Sequence, residues 1–174
     1  MVKKKIVAII QCRLGSLRLP KKALLRLEKK TVLSFLINRI SKSKLIDEII
    51  VAIPKNKKNL ELNQYIKKRG YKLFEGNEND VLARYYMAAK KSKAEVILRI
   101  TADCPFHDPK LIDSSIKTFL KKKIDYLSNF NPPTFPDGFD LSIMSFNTLK
   151  NAHNLAKKKY DREHVVTYIL NSNK

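Results

Sequence analysis

The strongest constraint in this sequence is a regular alternation of short apolar runs with longer amphipathic ones. Lys5-Ile6-Val7-Ala8-Ile9-Ile10 is a continuous β-type run, suited to a strand buried on both faces. The runs at 48–53 (E-I-I-V-A-I), 71–74, 94–100 (A-E-V-I-L-R-I) and 124–127 repeat it. Between them apolar residues recur at helical spacing: Val32, Leu33, Leu36, Ile37 and Ile40; then 60–69; then Val81, Leu82, Tyr85, Tyr86 and Ala89; then Leu111, Ile112, Ile116, Phe119 and Leu120. The punctuation agrees. Thr31 can cap the first helix, Gly70 can end the second in a left-handed conformation, Asn79-Asp80 opens the third, and Asp108 caps the fourth with Pro109 in its first turn. Strand and helix in alternation predict an α/β fold, a mostly parallel sheet with helices on both faces. The pattern changes after Asn129, where Pro132-Pro133 and Pro136-Asp137-Gly138 make an irregular loop. An added edge strand is expected at 139–144 and two further helices at 146–158 and 162–170. With no internal repeat and no linker, residues 1–174 read as one domain.

Thirty-six Lys and Arg against 16 Asp and Glu give a net charge of +20, a field that attracts polyanions. Much of the excess is lysine on predicted helix surfaces, as in Lys67-Lys68-Arg69 and Lys121-Lys122-Lys123, in a chain also rich in Asn and Ile. Compositional bias towards Lys, Asn and Ile therefore explains it without any nucleic-acid partner, and no nucleic-acid motif is present. No apolar run approaches the ~20 residues that span a bilayer, so no membrane insertion is expected. The basic start lacks a signal-peptide core, which makes the cytoplasm the expected compartment. Cys12 and Cys104 fit neither a disulfide framework nor a zinc spacing and read as reduced thiols at strand ends.

Ligands of open α/β sheets bind beyond the C-terminal ends of the strands, which directs attention to the loops after the first and fourth strands. The first reads Gln11-Cys12-Arg13-Leu14-Gly15-Ser16-Leu17-Arg18-Leu19-Pro20-Lys21-Lys22. It is neither a dinucleotide-binding glycine loop nor a P-loop. It combines a Gly15-Ser16 turn with Arg13, Arg18 and Lys22, groups that hold phosphate oxygens as forks or point charges, and backbone N–H groups near Gly15 could form an anion nest. An ordinary solvated basic loop is the competing reading. The second reads Arg99-Ile100-Thr101-Ala102-Asp103-Cys104-Pro105. Asp103 could hold Mg²⁺ beside substrate phosphates, or merely pair with Arg99 or cap a turn. Arg99, inside an apolar strand, must find a partner or reach the strand end. Asp80 and Arg84, four apart on a helix, suggest a surface ion pair, and Asp137-Gly138 is first a turn signal.

In order and spacing these pieces resemble the cytidylyltransferase family of the spore coat polysaccharide biosynthesis protein F type, related to enzymes that activate acylneuraminate and 3-deoxy-manno-octulosonate. The matching stretches are I-I-Q-C-R-L-G-S-L-R-L-P-K-K (9–22), S-K-L-I-D-E-I-I-V-A (43–52), D-V-L-A-R-Y-Y (80–86), R-I-T-A-D-C-P (99–105), F-P-D-G-F-D (135–140) and R-E-H-V (162–165). The resemblance implies a nucleotide-diphospho-sugar transferase fold, CTP as donor, Mg²⁺ as cofactor, and an expected acidic sugar as acceptor in surface polysaccharide or glycan synthesis. By the same resemblance Arg13, Gly15, Ser16, Arg18 and Lys22 would hold the triphosphate, with Arg13, Lys22 and Asp103 catalytic and Asp103 also the metal ligand. Asp80 and Arg84 would line the nucleotide side; Asp137, Asp140, Arg162 and His164 the sugar side. Dimerisation is common in the wider group, so a homodimer is one expectation.

The sequence departs from the family pattern in four places. Lys21 stands where L-P-G-K has glycine, Ala102 where T-G-D-C-P has glycine, and Ser142 where an acidic residue is expected. The family also continues past R-E-H-V-T-x-Y-I into a V-D-T-P-E-D-L-like segment with a second acidic metal ligand. The chain is therefore expected to be cut short, to bind CTP weakly and to turn over poorly. An inactive nucleotide- or sugar-binding relative and a basic nucleic-acid-binding protein are the rival readings.

Overall fold

The computed structural model describes residues 3–16 and 18–172. A six-stranded sheet is formed by β1 (Ile6–Gln11), β4 (Glu48–Pro54), β5 (Lys72–Gly76), β6 (Val96–Thr101), β7 (Tyr126–Ser128) and β8 (Ser142–Ser145), in the order β5-β4-β1-β6-β8-β7. β1 pairs in parallel with β4 on one side and β6 on the other, and β5 adds in parallel to β4. The run-of-apolars reading of β1 holds: Val7, Ala8, Ile9 and Ile10 are all inaccessible to solvent. Val7, Ile9 and Ile10 each contribute on the order of 1.5–3 kcal/mol by burial, which is why a two-sided strand tolerates no polar alternation.

Helices cover both faces, as the alternation predicts. One face packs Leu33, Leu36 and Ile40 of α1 (Val32–Ile40), Leu62 and Ile66 of α2 (Leu60–Lys68), and Ile112, Ile116 and Phe119 of α4 (Pro109–Lys122) against Ala8, Ile10, Leu98 and Ile100. The other packs Leu82, Tyr85 and Ala89 of α3 (Val81–Lys91), Leu149 of α5 (Phe146–Leu155) and Ile169 of α7 (Thr167–Ser172) against Val7, Ile9 and Ile97. The expected caps form. Thr31 accepts from the Ser34 N–H, Asp80 from that of Ala83 and Asp108 from that of Lys110, and Gly70 takes φ 69° at the end of α2.

Three features differ from the sequence reading. The added strand is not at the edge: β8 runs antiparallel between β6 and β7, leaving β7 outermost. Its buried Ser142, Ile143 and Met144 fill an interior position that loop length alone does not specify. The last predicted helix is two short ones, α6 (Lys159–His164) and α7, separated at Val165, whose φ of 63° is unfavourable for a β-branched residue. A small hairpin, β2 (Arg26–Leu27) with β3 (Lys30–Thr31), carries none of the glycine or asparagine signals of a tight turn. Glu28 takes its left-handed position instead, at φ 55°. No helix among the described residues is long and apolar enough to cross a membrane.

Candidate active site

After β1 the chain proceeds to β4 on one side, whereas β6 lies on the other. The β1/β6 junction is thus the topological switch point, where loops diverge and leave a crevice at the strand ends. A cavity of about 650 Å³ lies there, lined by both loops singled out above: Arg13, Gly15, Ser16, Arg18 and Lys22 from the first, Thr101, Ala102 and Asp103 from the second. Its size suits a small-molecule ligand. Across it, α6 contributes Glu163 and His164.

The first loop is anchored rather than loose. The buried Asn59 side chain accepts from the Leu14 N–H at 2.9 Å, and the Leu14 carbonyl accepts from the N–H groups of Ser16 (2.9 Å) and Lys21 (3.2 Å). Leu14 and Ala23 pack into the α1-side core, pinning the segment between them. The Ser16 N–H is consumed by its turn. The N–H groups of Arg13 and Gly15 have no partner among the described residues. Two departures from the family pattern differ in cost. Lys21 takes a left-handed φ of 55°, a conformation that costs a side-chain-bearing residue roughly 1 kcal/mol. Ala102 is not left-handed; its N–H bonds the Gln11 carbonyl at 3.0 Å, and alanine fits.

Asp103 pairs with Lys22, not with Arg99, and so joins the two loops across the strand ends. Burial pushes its carboxyl up, but the Lys22 hydrogen bond, a further one from Thr101 and the Lys22 charge outweigh it. The net value lies below the ordinary carboxylate range. Asp103 is therefore ionised at neutral pH. Cys12 behaves oppositely: burial, reinforced by the Asp103 charge, raises its thiol to about 12, so it is no nucleophile. Cys104 is a free thiol on the second loop, also raised by burial.

The remaining expected site residues divide. His164 lines the cavity, its ring centroid 4.3 Å from that of Tyr160. Asp137 and Asp140 lie outside the lining on the 129–141 loop, close enough for their charges to raise the Cys104 thiol further. Burial and then the neighbouring Asp137 charge raise Asp140 itself, with Arg99 opposing. Asp80 and Arg162 face each other instead of the cavity: Arg162 Nη2 and Nε donate to Asp80 Oδ2 at 2.5 and 2.9 Å. Arg162 also donates to the carbonyls of His153 (2.6 Å) and Ala156 (3.2 Å), clamping α3, α5 and α6 together. The Asp80–Arg84 surface pair is not formed. Arg84 is buried, with 1% exposure, and donates to the Asn77 and Glu78 carbonyls, while its Nε and Nη2 have no partner among the described residues. Burial lowers its pKa, and the Arg13 charge adds to that.

Sequence reasoning assigned no role to Gln11, Thr101 or Glu163, all of which line the cavity, and left Arg99 without one. Gln11 and Thr101 end β1 and β6 directly opposite each other, in a register that no local signal encodes. Glu163 lies within R-E-H-V and lines the cavity from α6.

A sequence profile described as Cytidylyltransferase matches residues 7–174. The Spore coat polysaccharide biosynthesis protein SpsF of Bacillus subtilis is 32% identical over 171 residues, covering 95% of this chain and 70% of that protein. An uncharacterised protein of Methanocaldococcus jannaschii is 41% identical over 165 residues, covering 95% of this chain and 67% of its own. The solved structure of a cytidylyltransferase from Leptospira borgpetersenii superposes with a TM-score of 0.91 at 33% identity, covering 95% of this chain and 71% of that one. A CMP:2-keto-3-deoxy-manno-octonic acid synthetase complexed with CTP, 16% identical, shares the fold with a TM-score of 0.74 over 97% of this chain and 86% of that one. The sheet with its switch-point cavity is thus the nucleotide-sugar transferase architecture, and the chain belongs to the cytidylyltransferase family.

Proposed function

We propose that the chain binds CTP at the β1/β6 crevice and transfers its cytidylyl group to a sugar hydroxyl, the acceptor being an acidic sugar. The observation that carries this is the convergence of Arg13, Arg18, Lys22 and Asp103 on one cavity from loops far apart in sequence. In the proposed reaction the sugar oxygen forms a bond to the α-phosphorus as the bond to the β-phosphate bridging oxygen breaks. Pyrophosphate leaves, and the hydroxyl proton passes to solvent. Such a transfer needs positioning and charge neutralisation more than covalent participation. Arg13 and Arg18 would hold the equatorial phosphate oxygens, the N–H groups of Arg13 and Gly15 a further one, and Ser16 the loop geometry. Lys22 would move from Asp103 to the phosphates.

The donor set fits Mg²⁺ completed by substrate. Asp103 offers a hard carboxylate with a half-exposed side chain, and no group of three His, Cys, Asp or Glu among the described residues could cage an ion unaided. A cation shared between one carboxylate and phosphates is the usual arrangement for Mg²⁺. When bound, it would supply positive charge to the phosphate oxygens as the leaving group departs. We place Asp80 and Arg84 in support of the nucleotide side, and Asp137, Asp140 and His164 toward the acceptor, with Arg162 acting through the helices it clamps. The SpsF relative motivates surface polysaccharide or glycan synthesis as the setting, in the cytoplasm, with a homodimer as the assembly to test.

The test is pyrophosphate release from each of the four nucleotides with Mg²⁺ and a panel of acidic and neutral sugars. Release with CTP alone, abolished by Asp103→Ala, is expected. Release from ATP or GTP as readily as from CTP overturns the assignment, and CTP binding without release would leave a binding protein.

A further inference from the structure

The face of the sheet toward α3 carries a polar group that the reading above does not use. Gln11, Arg99, Ser142 and Tyr126 share that face with Ile9, Ile97 and Met144 by strand alternation, and Arg99 stands directly opposite Ser142 in register. Gln11 Oε1 and Arg99 Nε are buried and have no hydrogen-bond partner among the described residues, whereas the Ser142 and Tyr126 hydroxyls lie close enough to meet each other. Each such group costs about 1–3 kcal/mol when left unmet, and native interiors hold few. Two unmet groups side by side at the cavity floor mark a place made to meet a polar ligand. Arg99 and Gln11 line the cavity itself.

Arg99 also forms no ion pair among the described residues, whose pairs are those of Lys3, Lys5, Lys21, Lys22, Lys72 and Arg162. An intermediate-exposure guanidinium without a carboxylate is the group in the cavity most in need of an anion. The segment ending in Lys22 and Ala23 reaches the strand ends from the α1 face, whereas Arg99 projects to the α3 face, on the side of Glu163 and His164. A second anion on the α3 side of the cavity is therefore the natural occupant.

We propose that Arg99 is the specificity residue for the acceptor, receiving the carboxylate of an acidic sugar beside the Gln11 side chain. This rests on the nucleotide reading above and adds the residue that selects an acid over a neutral sugar. A neutral acceptor would leave the guanidinium unmet, and hydrogen bonds to charged groups imply a preference of roughly 10- to 100-fold for the acid.

The test is by binding, so that turnover is not required. The wild-type chain is first titrated with the α,β-methylene analogue of CTP and Mg²⁺. At saturation it is then titrated with 3-deoxy-manno-octulosonate and with N-acetylneuraminate, each beside its C1 carboxamide. At least one acid should bind about tenfold or more tightly than its amide. Arg99→Gln should erase that preference while holding the nucleotide affinity within about threefold, and Arg99→Lys should keep part of it. Neither acid preferred over its amide by the wild-type chain overturns the inference without any variant. So does a preference that survives in Arg99→Gln, or a nucleotide affinity that falls with it. Failure of the wild-type chain to bind the CTP analogue at all instead removes the underlying nucleotide reading, and the inference with it.

Discussion

Replacing Asp80 with asparagine separates the two tasks that residue performs. Its Oδ1 accepts the Ala83 N–H at 2.8 Å and caps α3, while its Oδ2 receives both Arg162 contacts. Asparagine caps helices about as well as aspartate, so Asp80→Asn removes the ion pair and little else. The two side chains are 20% and 26% exposed, between the surface case, worth about 0–1 kcal/mol, and full burial, where breaking one partner costs about 3–5 kcal/mol. A loss of about 1–3 kcal/mol follows for Asp80→Asn. Asp80→Ala loses the cap as well, about 1 kcal/mol more. In urea the midpoint should fall by roughly 1 M for the asparagine variant, given slopes of about 1–3 kcal/mol/M. A double-mutant cycle with Arg162→Gln should return a coupling of about 1–2 kcal/mol. Because α6 carries Glu163 and His164 into the cavity, ligand affinity should weaken along with stability. A coupling below about 0.5 kcal/mol would refute the view that this bridge holds α6 against α3.

Three further outcomes are expected. His107 is inaccessible to solvent, and burial, aided by the Arg39 charge, lowers its pKa to about 4 from 6.5. Its folded form stays neutral while the unfolded form gains a proton, so its stabilising effect is complete above pH 6.5 and is lost as pH falls toward 4. The loss amounts to about 3 kcal/mol; urea midpoints of wild type and His107→Leu across that window should diverge, and parallel curves would contradict it. A Cβ on Gly76 would lie 3.0 Å from Arg84 Cγ and from Phe74 Cε1, so Gly76→Ala should cost about 1–3 kcal/mol by overpacking, read as a lowered Tm. Lys22→Met should raise the Asp103 pKa, because the Lys22 hydrogen bond is the largest influence holding it down; carbon-13 titration of the Asp103 carboxyl measures it, and an unchanged value would contradict the pairing.

The β1, β4 and β6 strands and the helices between them were legible because local signals and tertiary demands coincide there. Apolar runs mark two-sided burial, and Thr31, Gly70, Asp80 and Asp108 mark helix ends by the same bonds that form. Legibility failed where partners are remote in sequence. The insertion of β8 between β6 and β7 depends on pairing Ser142 with Arg99, and nothing local in the 129–141 loop encodes that. Asp80 looked like a partner for Arg84, four residues on, because helical spacing is visible in sequence; Arg162, 82 residues away, is not. Arg13, Arg18, Lys22 and Asp103 could be chosen from strand-end loops and charge. That Lys22 and Asp103 meet, and that Gln11 and Arg99 share the cavity floor, required the β1–β6 register.

The most direct test of the central claim is a crystal structure of the chain grown with CTP and Mg²⁺. The expected result is CTP at the β1/β6 crevice, its phosphates on Arg13, Arg18 and Lys22 and the cation on Asp103, with Lys22 released from that carboxylate. CTP bound elsewhere, or a crevice that keeps the Lys22–Asp103 pair intact at saturating CTP, would contradict the account.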